Sequence, residues 1–66
     1  MTALLHEYAA SAIAANVYAV LLDARSKHHR DSEMRWLLHE GANVAFAIAW
    51  QNAEAANQLF HGEKNA

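Results

Sequence analysis

The chain has 66 residues, a formal charge of −2 at pH 7, and neither cysteine nor proline. A chain this short forms one domain and buries only about 60% of its unfolded surface, so an isolated monomer is expected to be marginally stable. Missing cysteines exclude disulfides and thiolate metal sites, which leaves self-association as the stabilising device. The negative charge argues against general nucleic-acid binding. The N-terminus lacks the basic region of a signal peptide, and we expect a cytoplasmic protein.

The first predicted helix covers about residues 3–28, with Thr2 as its N-cap and no glycine inside it. No charged residue occurs from Tyr8 to Leu22, a span of fifteen residues. A helix that is apolar on nearly all sides is normally buried on all sides, and one partner helix cannot cover it. The sequence therefore predicts either a dimer or insertion into a membrane. We favour the dimer, because spanning a bilayer needs roughly 20 apolar residues.

A short turn at about residues 29–31 is predicted to join this helix to a second one. Four of the five Lys/Arg residues lie between Arg25 and Arg35, where they can interact with the carbonyl end of the first helix. Two long helices with a short connection form an antiparallel hairpin, and equal rise along both helices predicts that Leu22 faces Leu37 and Leu38. Two such hairpins related by a two-fold axis would form an all-α four-helix bundle.

The second predicted helix covers about residues 32–61 and is followed by a short tail at 62–66. Asp31 is a good N-cap residue, and Gly62 is expected to end the helix in a left-handed conformation. One broad apolar side should pack in the core, with Gly41 allowing close approach of a neighbouring helix. The residues predicted to pack between helices are Ile13, Asn16, Val17, Val20, Leu37, Leu38, Gly41, Val44, Ala45 and Ile48.

A second stripe, which we call the aromatic stripe, runs along the other side of the second helix at spacings of three, four and seven residues. Aromatic side chains outside the main core face indicate an interface, in which large aromatic residues usually contribute most of the binding energy. The stripe could bind the dimer mate or a different protein. Its members are Trp36, His39, Asn43, Phe46 and Trp50.

The five histidines do not have the spacing of a metal site. His28 and His29 are adjacent, no His-x-x-x-His pair occurs, and no glutamate is followed three residues later by histidine. The sequence also contains no phosphate-binding loop and no recognisable nucleophile motif. We therefore expect neither a metal nor a cofactor, and no enzymatic activity. The histidines could instead respond to pH, since their full protonation would change the formal charge from −2 to +3.

These observations predict a homodimeric, non-enzymatic module that binds or inhibits another protein through the aromatic stripe. In size and architecture it resembles the small helical regulators of bacteria and phages that bind and block other proteins. The alternatives are a membrane-associated helical protein that uses the uncharged first helix, and a small helical bundle that binds metal or catalyses a reaction.

Overall fold

The computed structural model describes the backbone of residues 2–65 and the side chains of residues 3–62. It is an all-α hairpin of two helices, α1 at Thr2–His28 and α2 at Ser32–Asn65. No strand occurs within residues 2–65. The Cα atoms span 53 × 13 × 11 Å, so the hairpin is a rod only two helices wide. The prediction of an all-α helical hairpin is confirmed.

Asp31 is the N-cap of α2. Its Oδ1 accepts hydrogen bonds from the backbone N–H of Glu33 at 2.9 Å and of Met34 at 3.4 Å. These bonds satisfy donors that have no partner inside the helix. The guanidinium of Arg35 donates to the carbonyl of His29 at 3.0 Å, just beyond the end of α1. The connection 29–31 is therefore held by side chains on both of its ends.

Small side chains form the contact between α1 and α2, which we call the seam. On α2, Ala42, Ala49 and Ala56 are buried and recur every seven residues, the repeat of a coiled coil. On α1, Ala19 and Ser26 are buried with the same separation. Because alanine and serine project little from the helix, the two backbones can approach closely.

Two polar side chains at the seam find partners within their own helices. The buried Ser26 hydroxyl donates to the carbonyl of Asp23 at 2.6 Å. The half-buried Asn52 amide donates from Nδ2 to the carbonyl of Ile48 at 2.9 Å. Since each donor is satisfied locally, neither carries the penalty of an unpaired buried polar group.

The register of the hairpin is shifted by two to three residues from the expected one. Leu22 lies against Gly41, where a Cβ would be 3.5 Å from Leu22 Cδ1, and Asp23 lies opposite His39. The reason is that residues 27–37 are all exposed, and Leu38 is the first residue of α2 that is partly buried against α1. The chain therefore uses residues on both sides of the connection 29–31 to pass from the axis of α1 to the axis of α2.

The C-terminal end of α2 also differs from the expectation. Gly62 has no positive φ, and the helix continues to Asn65. A Cβ on Gly62 would meet no atom within 4 Å. Because no neighbouring segment packs there, nothing forces the chain to leave the helix at this glycine.

Candidate functional site

Most of the large apolar side chains lie outside the seam. Among the described side chains, those of residues 3–62, the buried ones are all alanine or serine, and no large side chain is fully buried. A monomeric protein rarely exposes so much contiguous apolar surface unless that surface binds something. The exposed large apolar residues are Leu4, Ile13, Val17, Tyr18, Val20, Leu21, Met34, Trp36, Leu37, Val44, Phe46, Ile48, Trp50 and Phe60.

On one side of the rod, which we call the groove face, an open groove of about 480 Å³ runs between the helices. Ala49 of the seam lines its floor together with Ala12 and Ala53, and larger side chains of both helices line its walls. The groove continues towards the open end of the hairpin into a second depression of about 520 Å³, which Phe60 of α2 lines. The larger residues lining the first part are Ile13, Asn16 and Val17 of α1, with Phe46 and Trp50 of α2.

The structure separates the members of the aromatic stripe. Phe46 and Trp50 line the groove and are 41% and 69% exposed. Trp36 is 61% exposed but lies near the turn, outside the lining of this groove. Asn43 is also exposed. His39 is exposed too, and its Nδ1 is 3.8 Å from Asp23 Oδ1 across the two helices.

The residues predicted to pack between helices are likewise distributed over several surfaces. Ala45 is buried in the seam, and Leu38 and Gly41 are partly buried. Ile13, Asn16 and Val17 line the groove. The remaining four are exposed in the single hairpin: Val20, Leu37, Val44 and Ile48.

The opposite side of the rod, the back face, carries a second apolar surface. On α2, Val44 and Ile48 are each about 200° around the helix from Phe46, and Leu37 is about 180° from it. On α1, Tyr18 lies with Arg25 at a shallow depression of about 150 Å³. We define the back face by its five exposed apolar residues, Leu4, Tyr18, Leu37, Val44 and Ile48.

Charged side chains lie at the turn end of the groove face. Asp23 Oδ2 is 3.3 Å from Lys27 Nζ, one turn further along α1, while its Oδ1 faces His39. The Lys27 side chain is 70% exposed, so this pair contributes little to stability but leaves a cation at the surface. The other end of the groove is lined mainly by apolar residues such as Leu5 and Phe60, with His6 and Asn57 beside them, and no carboxylate or Lys/Arg side chain lines it among the described residues. The groove is therefore electrostatically asymmetric along its length.

Among the described residues, no group of three His, Cys, Asp or Glu side chains is placed to hold a metal ion. Within residues 2–65, neither helix combines the length and the apolar character that crossing a membrane requires.

Sequence reasoning missed Ala42 and Ala53, the first in the seam and the second on the groove floor. The repeat of alanine at intervals of seven residues from Ala42 to Ala56 was the available signal. No protein-family model, curated protein or solved structure matches this chain at a significant level, so its function is inferred from its own surface.

Proposed function

We propose that this chain is a non-enzymatic protein-binding module that homodimerises as a four-helix bundle and binds an amphipathic helix of another protein in the groove. The observation that carries the proposal is an open apolar groove whose walls include the exposed side chains of Phe46 and Trp50. Grooves of this kind bind helices through apolar residues at intervals of three, four and seven.

Dimerisation is supported by the amount of apolar surface that the single hairpin leaves uncovered. A rod of two helices buries only small residues in its seam, while large apolar side chains project from both flat sides. A second hairpin stacked on one side would cover that side and provide the core that 66 residues cannot build alone. The other side would remain available for a target.

The dimensions and charge of the groove support a helical partner. From Phe46 to Phe60 the groove follows α2 for fourteen residues, or about 21 Å, which accommodates a helix of the same length. Lys27 and Arg35 lie beyond the turn end of the groove, where Arg35 is eleven residues or about 16 Å along α2 from Phe46, and they would favour an acidic segment in a target helix that extends past Phe46. Trp50 would be the main anchor, because a large aromatic side chain at the centre of an interface buries the most surface.

The mechanism that follows from this geometry is steric. By covering the apolar stripe of a helix, the groove would keep that helix from its normal partner and thereby inhibit the target. The cations at the turn would increase the rate of encounter with an acidic segment and fix its direction in the groove.

A designed peptide can take the place of the natural target in a test of the proposal. The probe is an amphipathic helix of about 24 residues, long enough to extend from Phe60 to the cations at the turn, with leucine at intervals of three and four and two glutamates at the turn end. Its affinity is measured by fluorescence anisotropy. We expect Trp50→Ala to weaken binding by at least tenfold, because truncation of a central aromatic residue typically costs about 2 kcal/mol.

Trp36→Ala is the matched control, since Trp36 is equally exposed on the same helix but lies outside the groove lining. It should leave peptide affinity unchanged, and circular dichroism should show both variants helical. Equal affinities of the wild type and Trp50→Ala for the peptide would contradict the proposal. A peptide with lysines in place of the glutamates should bind more weakly to the wild type.

A further inference from the structure

The back face has a symmetry that the groove face lacks. Asp23 lies opposite His39 in the antiparallel hairpin. Asn16 is seven residues before Asp23, and Phe46 is seven residues after His39, so Asn16 and Phe46 lie at the same level along the rod. Both residues line the groove. This level is close to the middle of α1. It provides a reference for testing whether a second copy would be complementary to the back face.

Charges on α1 are arranged symmetrically about this level. Glu7 and Arg25 are each nine residues from Asn16, in opposite directions. They are eighteen residues apart, which is five helical turns, so they lie on the same side of α1. Neither forms an ion pair with another residue in the described part of the chain. Two antiparallel copies of α1 centred at Asn16 would pair each Glu7 with an Arg25.

Apolar residues on α2 have a matching arrangement about Phe46. Val44 and Ile48 are each two residues from it, while Leu37 and Ala55 are each nine residues from it. Antiparallel copies of α2 would therefore place Val44 against Ile48, and the large Leu37 against the small Ala55. Alternation of large and small side chains across an interface allows the two surfaces to interdigitate.

The same level on α1 produces another large and small pair. Tyr18 and Ala14 are each two residues from Asn16, so the exposed Tyr18 of one copy would lie over Ala14 of the other. On α2, the Gln51 amide lies one residue from the position opposite Glu40, and no two described carboxylates would face each other directly. Charge and side-chain size are thus complementary on both helices for one position of the two-fold axis.

The area of the back face is sufficient for a stable dimer. A rectangle with the longer two Cα dimensions, 53 Å and 13 Å, covers about 700 Å² before side chains are added, close to the ~800 Å² per partner of a standard interface. A comparable pairing of the groove faces would bring Lys27 opposite Leu5 and Asp23 opposite Ala9. That arrangement offers the charged side chains no partner.

We infer that a second copy of this chain packs antiparallel on the back face, about a two-fold axis at the level of Asn16 and Phe46, with Glu7 paired to Arg25 of the partner subunit. The turns then lie at opposite ends of the four-helix bundle. The two grooves face outward on opposite sides, so that the dimer can hold two target helices at once. This inference deepens the proposed function, from which it takes both the four-helix-bundle dimer and the role of the grooves.

Charge exchange between subunits tests the position of the axis. In Glu7→Lys homodimers, each new lysine meets an arginine, and in Arg25→Glu homodimers, each new glutamate meets Glu7. We expect each single variant to dimerise about tenfold more weakly than the wild type at low salt, since two ion pairs are replaced by repulsive ones. In a mixture of the two variants, both pairs are attractive again only in the heterodimer.

The measurement is native mass spectrometry of the mixture, with one variant isotopically labelled. A heterodimer fraction clearly above the statistical half supports the inference, and a statistical fraction overturns it. High salt should abolish the excess. The double variant Glu7→Lys/Arg25→Glu should recover the wild-type dissociation constant, which a merely destabilising effect of the single substitutions would not predict.

A second pair of variants tests which face is used. Ile48→Glu on the back face should make the protein monomeric in sedimentation equilibrium, whereas Phe46→Glu on the groove face should leave it dimeric. Dissociation of Phe46→Glu, or a monomeric wild type, would overturn the inference. The outcome is separate from the proposed binding of a target helix, because peptide binding and its loss in Trp50→Ala are measured by anisotropy and do not depend on the subunit mass.

Discussion

The seam and the two outer faces of the hairpin differ in the size of the side chains that they hold. Between α1 and α2 the buried residues are alanine and serine, whereas Trp50, Val44 and Tyr18 are more than half exposed. In a finished globular domain the largest apolar side chains are usually inside. Here the hairpin resembles one layer of a larger assembly, since its small residues join its own helices and most of its large residues are left exposed.

The two outer faces differ from each other as well. The groove face is lined by Phe46 and Trp50 and carries the Asp23–Lys27 pair at its turn end, while the back face has exposed apolar residues with Glu7 and Arg25 placed symmetrically about its middle. A two-fold axis requires a surface to be complementary to itself, and a foreign target does not. For this reason we propose the symmetric surface for a second copy and the asymmetric one for a different protein.

The largest expected effect comes from enlarging a side chain of the seam. Ala42 is 1% exposed, so Ala42→Leu would insert three carbon atoms where the helices are closest. We expect a loss of about 2–3 kcal/mol in the free energy of unfolding, measured by urea denaturation at a fixed protein concentration.

Ala47→Leu is the matched control for that substitution, because Ala47 lies on the exposed surface of α2. Leucine is nearly as good a helix former as alanine, so this variant should change the stability by less than about 0.5 kcal/mol. If both leucine variants had the same stability, the seam would not be the site of close packing.

Much of the fold could be predicted from the sequence, because helix signals are local. The N-cap at Asp31 and the absence of proline are sufficient to place two long helices and one short turn. The end of α2 could not be predicted as well, since Gly62 favours termination only where the following chain turns away. The register of the hairpin depends on how many residues the chain uses to pass from α1 to α2, and local sequence patterns do not give that number.

The surfaces were harder to predict, because apolar periodicity reports which residues avoid water and not what covers them. Val44 and Ile48 share an apolar stripe with Ala45, yet only Ala45 is buried against α1. When an apolar stripe is wide enough to contact two partners, its periodicity does not show which residues contact which partner. Side-chain size provides the division here, since the smallest residues of the stripe form the seam and the largest lie beside it.

A smaller effect of opposite sign is expected at Gly41, which tests how tight the seam is. A Cβ at this position would lie 3.5 Å from Leu22 Cδ1, an ordinary van der Waals distance, so alanine fits without displacement. Gly41→Ala should therefore stabilise the protein by about 0.5–1 kcal/mol through helix propensity. Gly41→Leu, which would collide with Leu22, is the contrasting variant. Destabilisation by alanine would show that the helices approach more closely at Gly41 than at Ala42.

The smallest effect on stability is expected from the charged groups at the turn end of the groove face. Lys27→Ala removes the 3.3 Å ion pair with Asp23, but the Lys27 side chain is 70% exposed, so the free energy of unfolding should fall by only about 0.3 kcal/mol. The association rate with the glutamate-ended peptide, measured by stopped-flow fluorescence, should nevertheless fall several-fold at low salt. Lys27→Arg keeps the charge and should preserve both quantities. A stability loss above about 1 kcal/mol would mean that the Lys27–Asp23 pair within α1 contributes appreciably to the stability of the hairpin. An unchanged association rate would mean that the cations at the turn do not contribute to target binding.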